Sequence, residues 1–180
     1  FNINIVMQLN QNSQVRLVKY NPLWPSQFCK EAKKLSTVLG DLALKISHVG
    51  STSIPGMIAK PIIDINISVQ SLEPMEPYKV PLEKLGYTFI VDPDPIDLHF
   101  FAKPFSHPRS YHIHVCTIGS WHEISDLAFR DFLISNPTEG INYGKLKSNL
   151  VSKFKGDRES YIKGKDSFIK RIKYKAMASI

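Results

Sequence analysis

One short segment alternates apolar and polar residues and carries a carboxylate where a sheet strand is expected. In IIDINIS, residues 62–68, the isoleucines at 63, 65 and 67 fall on one face, and Asp64, Asn66 and Ser68 fall on the other. A buried carboxylate costs free energy unless a hydrogen bond, an opposite charge or a metal ion compensates it. Asp64 is therefore the candidate catalytic residue, as a metal ligand or a base. The alternative is a structural aspartate that pairs with Lys60 or with a nearby histidine.

A second polar face occurs in YHIHVCTI, residues 111–118. His112, His114 and Cys116 share one side of this predicted strand. If the two strands are neighbours in one sheet, His112 and His114 converge with Asp64 and could hold Mg²⁺, Mn²⁺ or Zn²⁺, or bind a phosphate. Cys116 lies roughly 13 Å along the strand from His112, so we interpret it as structural. The alternative is that two histidines share a polar sheet face by chance.

The segment before the first strand has the composition of a phosphate-binding loop. Gly50, Ser51 and Thr52 carry no bulky side chain, so backbone N–H groups and hydroxyls can approach an anion there. Lys60, at the start of the following strand, supplies a positive charge. We predict that Gly50, Ser51, Thr52 and Lys60 bind phosphate. The alternative is an ordinary Gly-Ser turn.

The net charge of +7 is concentrated near the C-terminus. Residues 145–175 hold 11 Lys and Arg against 3 Asp and Glu. A basic surface of this kind attracts polyanions, although a solvated lysine-rich helix has the same composition. Because this region contains no recognisable module of stacking aromatic residues, nucleic acid is not favoured as the partner.

The elements that must position these residues belong to one α/β (α+β) domain. Apolar residues recur at helical spacing after Trp24 and again in three stretches from Trp121 onward, with strands predicted between them. The first of the three late helices is predicted to bury one stripe, made of Trp121, Ile124, Leu127, Ala128 and Phe132. We predict a mixed, mostly antiparallel sheet with flanking helices and a C-terminal helical section.

The length of 180 residues fits a single domain over residues 15–180, preceded by a flexible N-terminal segment, residues 1–14. Met7 is a candidate natural start, in which case residues 1–6 come from cloning. The segment lacks a basic stretch followed by an apolar one, which argues against a signal peptide. No apolar run approaches the ~20 residues needed to span a membrane. Cys29 and Cys116 are then expected to be reduced thiols of a cytoplasmic protein without a membrane partner.

The turn and the strand together resemble the polymerase-beta-type nucleotidyltransferase superfamily. There, a hydrophobic-Gly-Ser turn precedes a strand with Asp-x-Asp or Asp-x-Glu, and a later strand adds a third carboxylate. These carboxylates hold two divalent metals. Val49, Gly50, Ser51 and Asp64 match this pattern, whereas Asn66 stands at the second carboxylate position and the histidine strand at the third. Since Mg²⁺ prefers oxygen ligands, the resemblance implies a weakened metal site.

A closer resemblance, over residues 18–172, is to the GrpB family, a branch of that superfamily. It rests on ordered blocks: YNPLWPSQF, HVGSTSIPGMIAKPIIDI, LGYTF, HIHV, LAFRDFLISNP, YGKLKSNL and DRESYIKGKDSFI. The activity of the family is mostly unknown, and some members are fused to dephospho-CoA kinase. The resemblance implies a nucleotidyltransferase-like fold with its site at this turn. In the superfamily, basic side chains from helices hold the triphosphate, which makes Lys165 a further phosphate-binding candidate; the alternative is an exposed lysine.

Two functions follow from these observations. The first is a divergent nucleotidyltransferase-like protein that binds a nucleotide or another phosphate-containing small molecule, with one divalent metal at Asp64. The second is a non-catalytic module that binds a nucleotide, coenzyme A or a protein and has a decayed metal site. The single carboxylate favours the second, whereas the combination of Gly50, Ser51 and Asp64 favours the first. The sequence leaves open whether the chain is an enzyme and whether it forms oligomers.

Overall fold

Helices and strands alternate through the first two thirds of the chain, and three helices complete it. A computed structural model describes residues 14–91 and 97–178. The helices in these residues are α1 (Trp24–Leu39), α2 (Glu76–Lys84), α3 (Trp121–Ser135), α4 (Pro137–Lys153) and α5 (Arg158–Met177). The strands are β1 (Lys45–Val49), β2 (Ile63–Val69), β3 (Thr88–Ile90), β4 (Leu98–Lys103) and β5 (Tyr111–Thr117). Short 3₁₀ turns occupy Gly40–Leu42 and Ser51–Ser53.

The five strands form one mixed sheet with the order β1-β2-β5-β4-β3. Strands β2 and β5 run parallel, and the other three neighbouring pairs are antiparallel. Asp64 lies opposite His112, and Asn66 lies opposite His114. The predicted mixed, mostly antiparallel sheet with flanking helices and a C-terminal helical section is confirmed. The two strands with polar faces are direct neighbours in it.

The apolar face of β2 packs against α1 and α2. Ile63, Ile65 and Ile67 are buried in one cluster with Leu35 of α1 and Leu82 of α2. Burying one isoleucine side chain stabilises the fold by about 1.5–3 kcal/mol. A slip of one residue in β2 would turn all three isoleucines away from this core. The same packing therefore holds Asp64 on the opposite face of the sheet.

The polar face of the sheet is partly covered by α3, and the stripe predicted for that helix is wrong in part. Trp121 is 49% exposed, whereas Glu123 and Phe129 are buried. Ala128 is the buried member of the predicted stripe. The reason is that polar sheet residues need polar partners, and Ser68 Oγ donates a hydrogen bond to Glu123 Oε1 at 2.8 Å. Apolar periodicity alone does not detect a helix face that packs on polar residues.

The last two helices pack against the loop that follows the Gly-Ser turn. Tyr143 of α4 and Ile172 of α5 share an apolar cluster with Ile54 and Met57 of this loop. Helix α5 begins after Asp157, whose carboxylate accepts a hydrogen bond from the backbone N–H of Ser160 at 2.8 Å. This packing brings the basic helix α5 next to the turn.

Three further predictions concern the chain as a whole. Cys29 is exposed, Cys116 is buried, and neither forms a disulfide in the structure; that both are reduced in a cytoplasmic protein stays a prediction. Within the described ranges, we find no helix with the length and apolar character needed to cross a membrane. Residues 1–13 of the predicted flexible segment lie outside the described residues. The domain boundaries at residues 15 and 180 remain a prediction.

Candidate functional site

A cavity of about 410 Å³ opens over the polar face of β2 and β5. It is bounded by the Gly-Ser turn, by the two strands, and by helices α3, α4 and α5. All eight predicted site residues line it: Gly50, Ser51, Thr52, Lys60, Asp64, His112, His114 and Lys165. The structure thus brings the two predicted sets, the phosphate loop and the Asp-His face, into one place. Their roles remain predictions.

The Gly-Ser turn sits directly against the aspartate. Gly50 has φ +68°, and a Cβ atom at this position would lie 2.4 Å from Asp64 Oδ2. Only glycine combines this left-handed backbone with so close an approach. The turn is closed by Ser53, whose Oγ donates a hydrogen bond to Gly50 O at 2.6 Å. The carboxylate and the turn therefore pack directly against each other.

Asp64 also pairs with His112 across the parallel strands. Asp64 Oδ1 and His112 Nδ1 lie 3.2 Å apart. Burial raises the pKa of Asp64, but the hydrogen bond with His112 and the charge of Lys60 help to outweigh it and lower the pKa, so the carboxylate is ionised. Burial also lowers the pKa of His112, despite the opposing effect of Asp64. A neutral His112 then donates from Nδ1 to Asp64, and its buried Nε2 has no hydrogen-bond partner among the described residues.

The donor set does not fit the two-metal arrangement that the resemblance to polymerase-beta-type nucleotidyltransferases implies. Asn66 offers an amide at the second carboxylate position, and its Nδ2 donates to Asp126 Oδ2 at 3.3 Å. Within residues 14–91 and 97–178, no three His, Cys, Asp or Glu side chains are grouped closely enough to hold a metal ion. The predicted ligands Asp64, His112 and His114 are three such side chains, and the structure does not group them in this way; that they bind a metal ion stays a prediction.

The two predicted hydroxyls of the loop already have protein partners. Thr52 is buried, and its Oγ1 lies 3.0 Å from His48 Nε2. Burial lowers the pKa of His48 to about 4, which keeps this imidazole neutral at pH 7. Ser51 Oγ accepts a hydrogen bond from Lys147 Nζ at 2.9 Å. These bonds orient the turn, and a ligand would meet Ser51 together with Lys147.

Lys147 is a site residue that the sequence analysis missed. Its side chain is only 1% exposed, and Nζ also donates a hydrogen bond to Ile58 O. Nζ lies 4.5 Å from the ring centroid of Tyr143. Burial, with the nearby charges of Lys165 and Lys60, lowers the pKa of Lys147 to about 7. The available signal was its spacing: Lys147 stands four residues after Tyr143 and three before Leu150, so it shares a helix face with these two buried residues.

Four further basic side chains reach the cavity, namely Lys60, Arg158, Lys165 and Lys173. Lys165 packs with Nζ 4.5 Å from the Tyr161 ring centroid. Burial and the charge of Lys60 lower the pKa of Lys165 to about 8, although Asp64 raises it. Burial likewise lowers the pKa of Lys60 and of Arg158. With Lys147, these residues form what we call the basic cluster, and part of the C-terminal charge excess therefore faces a cavity.

A second carboxylate, also missed from the sequence, lines the same cavity. Asp126 of α3 lies between Asn66 and Lys173, and Lys173 Nζ is 2.5 Å from Asp126 Oδ1. The described lining thus holds two carboxylates, Asp64 and Asp126, against the five members of the basic cluster. The described lining of the cavity therefore carries more basic than acidic side chains.

A family model described as GrpB protein matches residues 14–175 of the chain. The chain belongs to the GrpB family. The residues that bound the cavity, from the Gly-Ser turn to Lys173 of α5, all fall within the matched range.

Relatives and a solved structure agree with this assignment. The UPF0157 protein PA4798 of Pseudomonas aeruginosa is 36% identical over 171 residues, which are 93% of this chain and 70% of that protein. The UPF0157 protein BH1888 of Halalkalibacterium halodurans is 37% identical over 169 residues, 93% of this chain and 85% of that protein. The crystal structure of GrpB from Enterococcus faecalis superposes with a TM-score of 0.82 at 32% identity, covering 91% of this chain and 98% of that one. The fold of this GrpB-family chain is therefore the fold of a solved GrpB protein.

Proposed function

We propose that this GrpB-family chain binds a small molecule that carries phosphate groups, with a nucleotide as the finer proposal. The observation that carries the proposal is the basic cluster, which lines the same cavity as the Gly-Ser turn. Surface lysines point into water, whereas these lysines crowd together and their pKa values are lowered by burial. A bound anion would relieve that electrostatic cost.

The energetic argument concerns charges that the fold brings together before any ligand arrives. Two unit charges 4 Å apart interact by about 4 kcal/mol at an effective dielectric constant of 20. The described cavity lining offers only Asp64 and Asp126 as counter-charges, and Asp126 is already paired with Lys173. A phosphate group near Lys60 and Lys165 would supply the missing negative charge. Its oxygen atoms would also accept hydrogen bonds from the ammonium groups.

A thermal-shift panel tests this proposal. Tripolyphosphate, ATP, UTP and coenzyme A should each be compared with adenosine, uridine and pantetheine, which lack phosphate. A ligand at 100 times its Kd stabilises the fold by about 2.7 kcal/mol, or roughly 5–10 °C in Tm for a domain of this size. Lys60→Met should abolish the shift. Lys163→Met, at an exposed lysine paired with Glu159, should retain it.

The pattern of shifts also distinguishes the proposals from one another. A shift with ATP or UTP that exceeds the shift with tripolyphosphate supports a nucleotide. Equal shifts with all phosphate compounds support a general phosphate site. No shift with any phosphate compound would overturn the proposal and leave a protein-interaction module as the remaining function.

Catalysis at Asp64 is a second proposal, supported by one observation. An ionised carboxylate faces the cavity beside His112, whose Nε2 has no hydrogen-bond partner among the described residues. In a transfer reaction, Asp64 would hold His112 in the tautomer that can accept a proton from an attacking hydroxyl group. The test is release of pyrophosphate from ATP or UTP by wild type and by Asp64→Asn. Tight binding without release in wild type would identify a binding protein.

A further inference from the structure

We propose that the phosphate charge in this cavity is neutralised by the protein's own lysines, so that the ligand binds without a divalent metal. This inference rests on the proposed function and specifies how the same site works. It departs from the metal chemistry of the nucleotidyltransferase superfamily. Three features of the described residues carry it.

The first feature is the orientation of Asn66. Its amide nitrogen donates to Asp126 Oδ2 at 3.3 Å, so the N–H group points towards the carboxylate. A metal ion near that carboxylate would face the positive end of the amide dipole. The position that carries a metal-binding carboxylate in the superfamily therefore carries a neutral amide in this chain. Its N–H group faces Asp126, and its buried Oδ1 has no hydrogen-bond partner among the described residues.

The second feature is the ammonium group of Lys173, which compensates the negative charge of Asp126 in place of a metal ion. Lys173 Nζ lies 2.5 Å from Asp126 Oδ1, and the two side chains are 19% and 27% exposed. Both oxygens of Asp126 thus have partners, Lys173 for Oδ1 and Asn66 for Oδ2. Because an ammonium group already compensates this carboxylate, a divalent cation would have to displace Lys173 to bind there.

The third feature is the state of Asp64. Its Oδ1 is hydrogen-bonded to His112 Nδ1, and its Oδ2 lies against Gly50. Lys60 and Lys165 act on the same carboxylate from the cavity. Hydrogen-bond donors and positive charges thus already compensate Asp64. The basic cluster carries more positive charge than the carboxylates of the cavity, and this excess charge is available to a bound phosphate group.

The test is calorimetric titration of the full chain with tripolyphosphate, in EDTA and, separately, in excess Mg²⁺ or Mn²⁺. We expect binding in EDTA with a Kd no more than threefold weaker than with either metal. Binding that requires a metal, or that a metal tightens at least tenfold, would overturn this inference and favour a site at Asp64, His112 and His114. No binding under any condition would overturn the proposed function itself.

A variant pair provides a second readout. Lys173→Met should weaken tripolyphosphate binding in EDTA at least tenfold and, because Asp126 loses its ammonium partner, make binding respond to Mn²⁺. Lys170→Met removes an exposed lysine of the same helix, paired with Asp166, and should bind like wild type. Circular dichroism and thermal melting would establish that both variants are folded. Wild-type affinity of a folded Lys173→Met in EDTA would contradict the role given to Lys173.

Discussion

Replacing Lys147 with methionine keeps a long unbranched side chain and removes one buried ammonium group. Burial, with the charges of Lys165 and Lys60, lowers the pKa of Lys147 from its ordinary value of 10.5 to about 7. A difference of this size corresponds to about 5 kcal/mol against the charged form in the folded state. The variant also loses the hydrogen bonds to Ser51 Oγ and Ile58 O, which costs roughly 1–3 kcal/mol for each oxygen left unpaired. The two effects oppose each other at neutral pH.

The pH dependence separates these two contributions. Between pH 7 and about 10 the unfolded chain holds the Lys147 proton and the folded chain releases it. The unfolded state therefore binds more protons, and wild-type stability rises with pH by at most ~1.4 kcal/mol per pH unit from this group. Lys147→Met lacks this contribution. The free energy of unfolding of wild type minus that of the variant should rise by about 2–3 kcal/mol from pH 7 to pH 9.5.

Urea denaturation at pH 7.0, 8.0 and 9.5 measures this difference directly. Lys145→Met, at an exposed lysine two residues away on α4, is the matched control and should keep the wild-type pH dependence. A difference between wild type and Lys147→Met that stays constant with pH would refute the reasoning. It would mean that the folded protein keeps the Lys147 proton, and that its surroundings do not disfavour the charge.

The remaining predictions concern the turn and the ligand. Gly50→Ala should destabilise the fold by about 2 kcal/mol more than Gly56→Ala in urea denaturation: both glycines have positive φ, but the new Cβ would meet Asp64 only at Gly50. The Gly50→Ala variant should also lose tripolyphosphate binding. Equal destabilisation by Gly50→Ala and Gly56→Ala would refute the close contact between position 50 and Asp64. Lys165→Met should raise the Kd for tripolyphosphate about tenfold, or ~1.4 kcal/mol, and Lys163→Met should not. Since the pKa of Lys165 is lowered to about 8 and a nearby anion would raise it, binding at pH 8.5 should take up a proton. Calorimetry in buffers of different ionisation enthalpy measures this uptake.

The local patterns of the sequence were sufficient to predict the fold class, and the residues that they single out line one cavity. The alternation of apolar and polar residues in β2 and β5 identified the polar face of the sheet. The Gly-Ser turn before Asp64 identified the loop that borders this face. Periodicity was insufficient for α3, because that helix packs on polar residues such as Ser68. The hydrophobic pattern reports which face of a helix avoids water, and a face buried through hydrogen bonds carries no such pattern.

The sequence by itself determined the nature of the site, a glycine turn beside a single strand carboxylate with histidines and a basic C-terminus. Tertiary structure alone decided which other side chains complete it. Asp126, Lys147 and Lys173 come from three different helices. Their partners, which are Asn66 of β2, Ser51 of the turn and Asp126 of α3 respectively, are dozens of residues away in the chain. Short-range spacing specifies the face of an element on which a residue lies, but the element it meets depends on how the whole core packs. The paired Asp126 and the buried Lys147 are consequences of that packing.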